Sequence, residues 1–364
     1  MTATSAPFLA LHALHAVPAS LLNRDLDGAT KAITLDGVPR VRVSSQAWKR
    51  GMRVHNRDQL LAAGAAGLRT NKLAALTAAH LAEDHGIAEE RAAVLAAATL
   101  TAVGLAANPK TGNTKVTTFT ANETPARIAA AIADRIDDID GDTISDDLAA
   151  AARAALDVGE CIDLALYGRM LSEIPGANID AALAVAHPFS VAAASIEADF
   201  FTAVDDAATA ADAQSNMLGT VDLSAPTLYR HAVLDRRQLL ANLHAAADPQ
   251  TLARQAEESV LDAWVKAFPS AKKNSTAAHT LPALVVAVVG AGAYSASDAF
   301  SPAITGRQVT HDAAARMLAQ LRSIVAVTGG TTVALPINAS VCRGLDFDGI
   351  TVVDSLDAFT EAVR

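Results

Sequence analysis

Between residues 60 and 178 this 364-residue chain changes character, and that change limits the fold it can reach. The stretch is rich in alanine, which loses no side-chain entropy in a helix. Apolar spacing predicts helical segments over 72–85, 89–106, 125–137, 144–157 and 160–172. Acidic residues gathered over 134–147 read as a solvated turn between helices. The flanks follow another pattern. Residues 8–17 alternate and read as a half-buried strand, 227–233 as a strand, and 283–289 as a buried strand. Residues 247–268 read as a helix. The fold class is therefore α+β, a sheet domain interrupted by an α-helical insertion.

Two further segments shape the sheet domain. Residues 18–39 form a connector with turn signals at Asp27-Gly28 and Asp36-Gly37. Residues 181–196 return the chain to the sheet, and 199–227 make a second excursion, an extended arm or hairpin. Cys161 and Cys342 lack metal-ligand spacing and are not expected to pair, which fits a reducing cytoplasm. The apolar run 281–289 contains Pro282 and is too short to span a bilayer, and the start of the chain lacks a signal peptide's pattern.

Charge is distributed unevenly. The chain carries a formal net charge of -10, which argues against indiscriminate nucleic-acid binding. Yet no acid lies between Asp36 and Asp58, a window holding Arg40, Arg42, Lys49, Arg50, Arg53 and Arg57. Ser44 and Ser45 are good N-caps for a helix running to Asn56 or Arg57. On it, Gln46, Lys49, Arg50, Arg53 and Arg57 share one stripe, while Trp48 and Met52 face the other way, toward a core. No acid at i,i+4 neutralises the stripe. With the serine hydroxyls and the free N–H groups of the first turn, it suits backbone phosphates. Arg40, Arg42 and Lys31 extend the patch upstream. Aromatics make up only 4% of the chain, which favours phosphate recognition over base stacking.

These residues, with others spread along the chain, resemble the backbone subunit of the type I-E CRISPR Cascade complex, the CasC family. The matching elements are the His-bearing first strand, the segment from Pro18 to Asp25, and Arg40-x-Arg-x-Ser-Ser-Gln-x-x-Lys-Arg-x-x-Arg53. Gly168-Arg-Met170, Asp199-Phe-Phe-Thr-Ala-Val-Asp-Asp206, Leu218-Gly-Thr220, Tyr229-Arg230 and Pro269-x-Ala-Lys-x-Asn-Ser275 follow in the family's order. The resemblance implies an RRM-like (ferredoxin-like) palm over 1–59, 181–199 and 228–364, helical fingers over 60–180 and a thumb arm over 200–227. It implies a non-catalytic scaffold. Copies of such a subunit line up head-to-tail on one CRISPR RNA, beside other Cascade subunits, and present the guide for pairing with target DNA. By the same resemblance Lys31, Met170, Lys272 and Asn274 approach the RNA, as do Phe200, Phe201 and Thr202 at the base of the arm. On local sequence alone Met170 reads as core filling. Of Phe200 and Phe201, one is expected in the core and the other toward a ligand.

A catalytic alternative is a metal-dependent ribonuclease that uses Asp25, with His12 or His15 as base. The two histidines are three apart on a strand and point to opposite faces, so they cannot form an acid–base pair alone. The structural reading makes Asn23-Arg24-Asp25 a polar turn. Gly329-Gly330 and Gly290-x-Gly292 lack the spacing and the lysine of a nucleotide-binding loop, and no nucleophile motif occurs. No cofactor or metal is expected, nor any membrane partner.

Overall fold

The computed structural model describes residues 6–136, 139, 143–203 and 218–364. It contains two compact units. One comprises Met1–His55, Ala184–Leu234 and Val260–Arg364; the other comprises Asn56–Leu183 and Asp235–Ser259.

The first unit is built on a seven-stranded sheet. Its strands run in the order Thr351–Val352, Thr331–Pro336, Leu284–Gly290, Phe8–Ala16, Thr227–Asp235 and Leu183–Val185, with Phe189–Ser190 also paired to Thr227–Asp235. The first strand lies antiparallel to Leu284–Gly290 with Leu11 opposite Ala287. It is buried along nearly its whole length and not, as its alternation suggests, on one face only. Both faces are covered. Ala10, Leu14, Val286 and Val288 pack with Met317, Leu318 and Leu321 of the helix Val309–Thr328. On the other side His15 meets the edge of the Trp48 ring. A strand covered twice needs apolar or neutral residues at every position, and Leu9-Ala-Leu-His-Ala-Leu supplies them.

Trp48 is 1% exposed and Met52 fully buried, so the basic helix is anchored as its periodicity predicts. Burying one tryptophan removes roughly 200 Å² from water, worth about 5 kcal/mol as an upper estimate. Arg230 lies between the Trp48 and Trp264 rings, with its guanidinium carbon 4.0 and 4.2 Å from their centroids. It donates to the Trp264 carbonyl at 2.7 Å and to His15 Nδ1 at 3.1 Å.

The second unit is largely helical, with Leu73–Glu83, Glu89–Ala102, Thr124–Ala133 and Asp146–Ala154 around a core of Leu81, Leu95, Leu100, Ile128, Ile132 and Leu148. Local rules set the helix ends. Ser145 Oγ accepts from Leu148 N–H, and Asp146 and Asp147 lie in the first turn, where carboxylates favour the helix dipole. The segment expected over 160–172 is only Ile162–Tyr167, because Gly168 takes φ +72° and stops it. The insertion is not purely helical: Gly67–Thr70 pairs antiparallel with Thr118–Ala121. Gly67 is required there, since a Cβ would lie 2.5 Å from Phe119 Cε2.

Among the described residues no helix is long and apolar enough to cross a membrane. Cys161 and Cys342 are buried free thiols.

Candidate nucleic-acid interface

The basic helix spans Ser45–Ala62, about one and a half turns longer than predicted, and Leu60 continues its buried face. Ser44 is its N-cap: Oγ accepts from Ala47 N–H at 3.2 Å. The Ser44 N–H in turn donates to Asn23 Oδ1 at 2.8 Å, and the Asn23 carbonyl accepts from Lys31 N–H at 2.9 Å. Asn23 thus ties the connector to the start of the helix. The Arg42 N–H donates to the Lys31 carbonyl at 2.8 Å, which sets the two cationic residues beside one another.

Along the helix Gln46 and Arg50 are exposed, and Lys49 and Arg53 half-buried. Desolvation by burial lowers the Lys49 pKa. Among the described residues neither Lys31, Arg42, Lys49 nor Arg50 is in an ion pair with a carboxylate. Asp262, an acid beside this helix, is occupied: it binds His55 at 2.7 Å and Lys266 at 2.5 Å. Gly51 lets a second basic loop approach. A Cβ there would sit 3.0 Å from the Phe268 carbonyl oxygen and 3.4 Å from Pro269 N, just before Lys272 and Asn274. Lys272 and Asn274 are both exposed, and Lys272 has left-handed backbone, φ +54°. Ala271 shares a cleft of about 540 Å³ with Asn23, Arg24, Asp25, Leu26 and Gly28. The connector, the helix and the Lys272 loop therefore converge.

Arg40 does not belong to this surface. The sequence puts it in the basic patch, but it is fully buried. Its Nη1 donates to the Ser190 and Val191 carbonyls at 3.0 and 2.7 Å, and its Nη2 to those of Phe300 and Ser301 at 3.0 and 3.1 Å. It is a clamp inside the sheet unit. His187 was not singled out from sequence, yet its Nδ1 accepts from Arg42 Nη1 at 2.7 Å and from Ser45 N–H at 3.2 Å. A lone histidine in Ala186-His187-Pro188 carries no sequence signal.

The remaining predicted residues lie elsewhere. Met170, in the second unit, is 83% exposed and so does not fill a core. It follows Arg169, which is buried and donates to the carbonyls of Ala177 at 2.8 Å and Leu156 at 3.0 Å. Gly168 and Arg169 fix the turn that presents it. Phe200, Phe201 and Thr202 lie on Glu197–Thr202, a ribbon strand paired with Leu218–Leu223 and exposed throughout. Against expectation neither phenylalanine is in a core: Phe200 is 62% and Phe201 38% exposed. Phe201 lies over Gly219, where a Cβ would fall 2.5 Å from the ring. The rest of the arm, 204–217, lies outside the described residues.

Asp25 is a turn residue. Its Oδ1 accepts from Asp27 N–H and Ala29 N–H, both at 3.0 Å. The histidines proposed as its base are inside the sheet unit. His12 Nδ1 is 2.9 Å from the Tyr229 hydroxyl, and His15 Nε2 donates to the Thr280 carbonyl at 2.9 Å. Desolvation by burial, then the charge of Arg230, pushes the His15 pKa down to about 3. Among the described residues no group of three or more His, Cys, Asp or Glu is arranged to hold a metal ion.

Residues 9–346 match the CT1975-like protein family, and the chain belongs to it. It is similar over 98% of its length to the whole of one chain of a solved "CRISPR RNA-guided surveillance complex, pre-nicking", at 28% identity and a TM-score of 0.82. A chain of a second "CRISPR RNA-guided surveillance complex" shares the fold at 24% identity and a TM-score of 0.61, again over 98% of this chain and all of the other. No curated protein matches the chain.

Proposed function

We propose that this protein is a non-catalytic backbone subunit of a CRISPR RNA-guided surveillance complex of the type I-E kind. The observation that supports the reading is the end-to-end likeness, at a TM-score of 0.82, to one chain of a CRISPR RNA-guided surveillance complex. The cluster of Lys31, Arg42, Lys49 and Arg50, which among the described residues form no ion pair with a carboxylate, gives that likeness its chemistry.

In this reading Lys31, Arg42, Ser44, Gln46, Lys49, Arg50 and Arg53 hold phosphates of the guide, with Lys272 and Asn274 from the adjoining loop. Phosphate contacts carry no base information, so the guide's pairing edges stay open to target DNA. On this reading residues 1–59, 181–199 and 228–364 are an RRM-like palm, 60–180 the fingers and 200–227 a thumb. Met170 and the Phe200–Phe201–Thr202 step are exposed, which suits them to contact bases or sugars between phosphate sites. Copies join head-to-tail, an arrangement that extends instead of closing and whose length the RNA limits. The complex works in the cytoplasm alongside other Cascade subunits.

The test is to co-express the tagged chain with its neighbouring genes and a CRISPR array, purify it, and extract bound nucleic acid. A single RNA of uniform length, protected in regular segments, is the expected result. RNA-free protein from a fully expressing system overturns the reading.

A further inference from the structure

His187 sits at the centre of the cationic corner without belonging to the basic helix or the connector. Its Nδ1 serves two donors, Arg42 Nη1 at 2.7 Å and the Ser45 backbone N–H at 3.2 Å. An imidazole nitrogen has one in-plane lone pair, so a guanidinium and a free N–H of the helix's first turn share it. The ring is therefore neutral with its proton on Nε2, and the residue is exposed. The charged groups facing it are the cations Arg42 and Lys31; among the described residues it pairs with no carboxylate. Desolvation first, then Arg42 and Lys31, holds its pKa below the ordinary histidine value.

We propose that His187 is a positioning residue that holds Arg42 beside the start of the basic helix, and that it takes up a proton when a phosphate of single-stranded RNA enters the corner. The inference rests on the RNA-scaffold reading above and adds a pH dependence to that site. With no anion present, Nδ1 has to accept, because a protonated ring would face two cations and a backbone donor. A phosphate oxygen reverses each of these terms. It accepts from the Ser45 N–H and from Arg42, which frees Nδ1. Its charge offsets Arg42 and Lys31. Once protonated, Nδ1 donates to the phosphate. One proton passes from solvent to Nδ1 for each phosphate seated, and no covalent bond to the RNA changes.

The sign follows from linkage. A group whose pKa is higher in the complex than in the free protein makes binding tighter as pH falls between the two values, and flat outside them. One linked proton gives at most about tenfold in affinity per pH unit. The buried histidines do not contribute, since desolvation by burial keeps them neutral: His231 is pushed down to about 4 and His15 to about 3.

The experiment is fluorescence anisotropy of labelled single-stranded RNA with the full chain, from about pH 5 to 8, at two fixed ionic strengths. Wild type is compared with His187→Gln, whose side-chain carbonyl can still accept from Arg42 but takes no proton. The expected result is a rise in wild-type affinity as pH falls through the histidine range, absent from the variant. The same pH slope in both proteins overturns the role of His187 and leaves the scaffold reading standing. A wild-type protein with no salt-sensitive RNA affinity at any pH overturns the scaffold reading, and this inference with it.

Discussion

Arg40→Met should cost the sheet unit about 3 kcal/mol while leaving the salt dependence of RNA binding unchanged. The guanidinium makes four hydrogen bonds to main-chain carbonyls, two to residues 190 and 191 and two to residues 300 and 301. Hydrogen bonds to a charged group contribute roughly 1.5 kcal/mol each at the low end, about 6 in all. Against this, desolvating a buried cation costs several kcal/mol, and methionine of similar bulk no longer carries that cost. Burial lowers the Arg40 pKa, with the Asp36 charge opposing the shift, in the direction that such a desolvation cost requires; subtracting a cost of about 3 kcal/mol from about 6 leaves about 3. The carbonyls left behind are buried and lack a donor, which keeps the net effect unfavourable. Both tryptophans of the chain, Trp48 and Trp264, are buried in the sheet unit, so their emission in urea reports the relevant transition. A loss of about 3 kcal/mol lowers the midpoint by roughly 1 M or more. An unchanged midpoint, together with a salt slope for RNA reduced by about 0.7, would return Arg40 to the phosphate-binding surface and refute the clamp.

Replacing Lys49, Arg50 and Arg53 together by alanine should weaken RNA binding equally for every sequence and reduce the salt slope by about 2, measured by anisotropy across ionic strengths; unchanged affinity removes the helix from the site. Asp25→Ala should loosen the Asn23–Ala29 turn by about 1 kcal/mol without altering the fate of complementary RNA incubated with the assembled complex and magnesium. Regular cuts by wild type that vanish in this variant would establish the ribonuclease alternative instead. Acid should destabilise the sheet unit through its buried histidines. His15 and His231 have folded-state pKa values of about 3 and 4, below the unfolded value of 6.5, so the stability they contribute is complete above about pH 6.5. It falls as pH drops toward those folded values, by at most about 1.4 kcal/mol per pH unit for each ring. His15→Gln should flatten that profile in urea titrations at successive pH values, and an unchanged profile would mean that His15 is not the acid-sensitive group.

What the sequence made legible is what depends on neighbours in the chain. Helix periodicity separated the face of Lys49, Arg50 and Arg53 from Trp48 and Met52 correctly, because residues three and four apart share a face whatever the helix packs on. The cap at Ser44 is likewise local. The errors fall on residues whose partners are distant. Arg40 and Arg42 are two apart and look alike in sequence, yet one bonds carbonyls 150 and 260 residues away while the other stands at the surface against His187. The first strand was misread because alternation reports only that two faces differ, and here a second layer covers the face holding His15. The same distinction separates the arginines by role. Arg40, Arg169 and Arg230 are buried, and each donates to main-chain carbonyls, the acceptors that a chain supplies to itself. The guanidinium groups of Arg42 and Arg50 reach no carbonyl and no carboxylate among the described residues. A buried cation whose guanidinium already serves carbonyls is out of reach of an outside anion, whereas one at the surface and kept clear of carboxylates on an acidic protein retains its charge for a phosphate. Which arginines a guide RNA can use is therefore decided by the acceptors that the fold leaves unspent around them, and charge along the sequence alone does not report that.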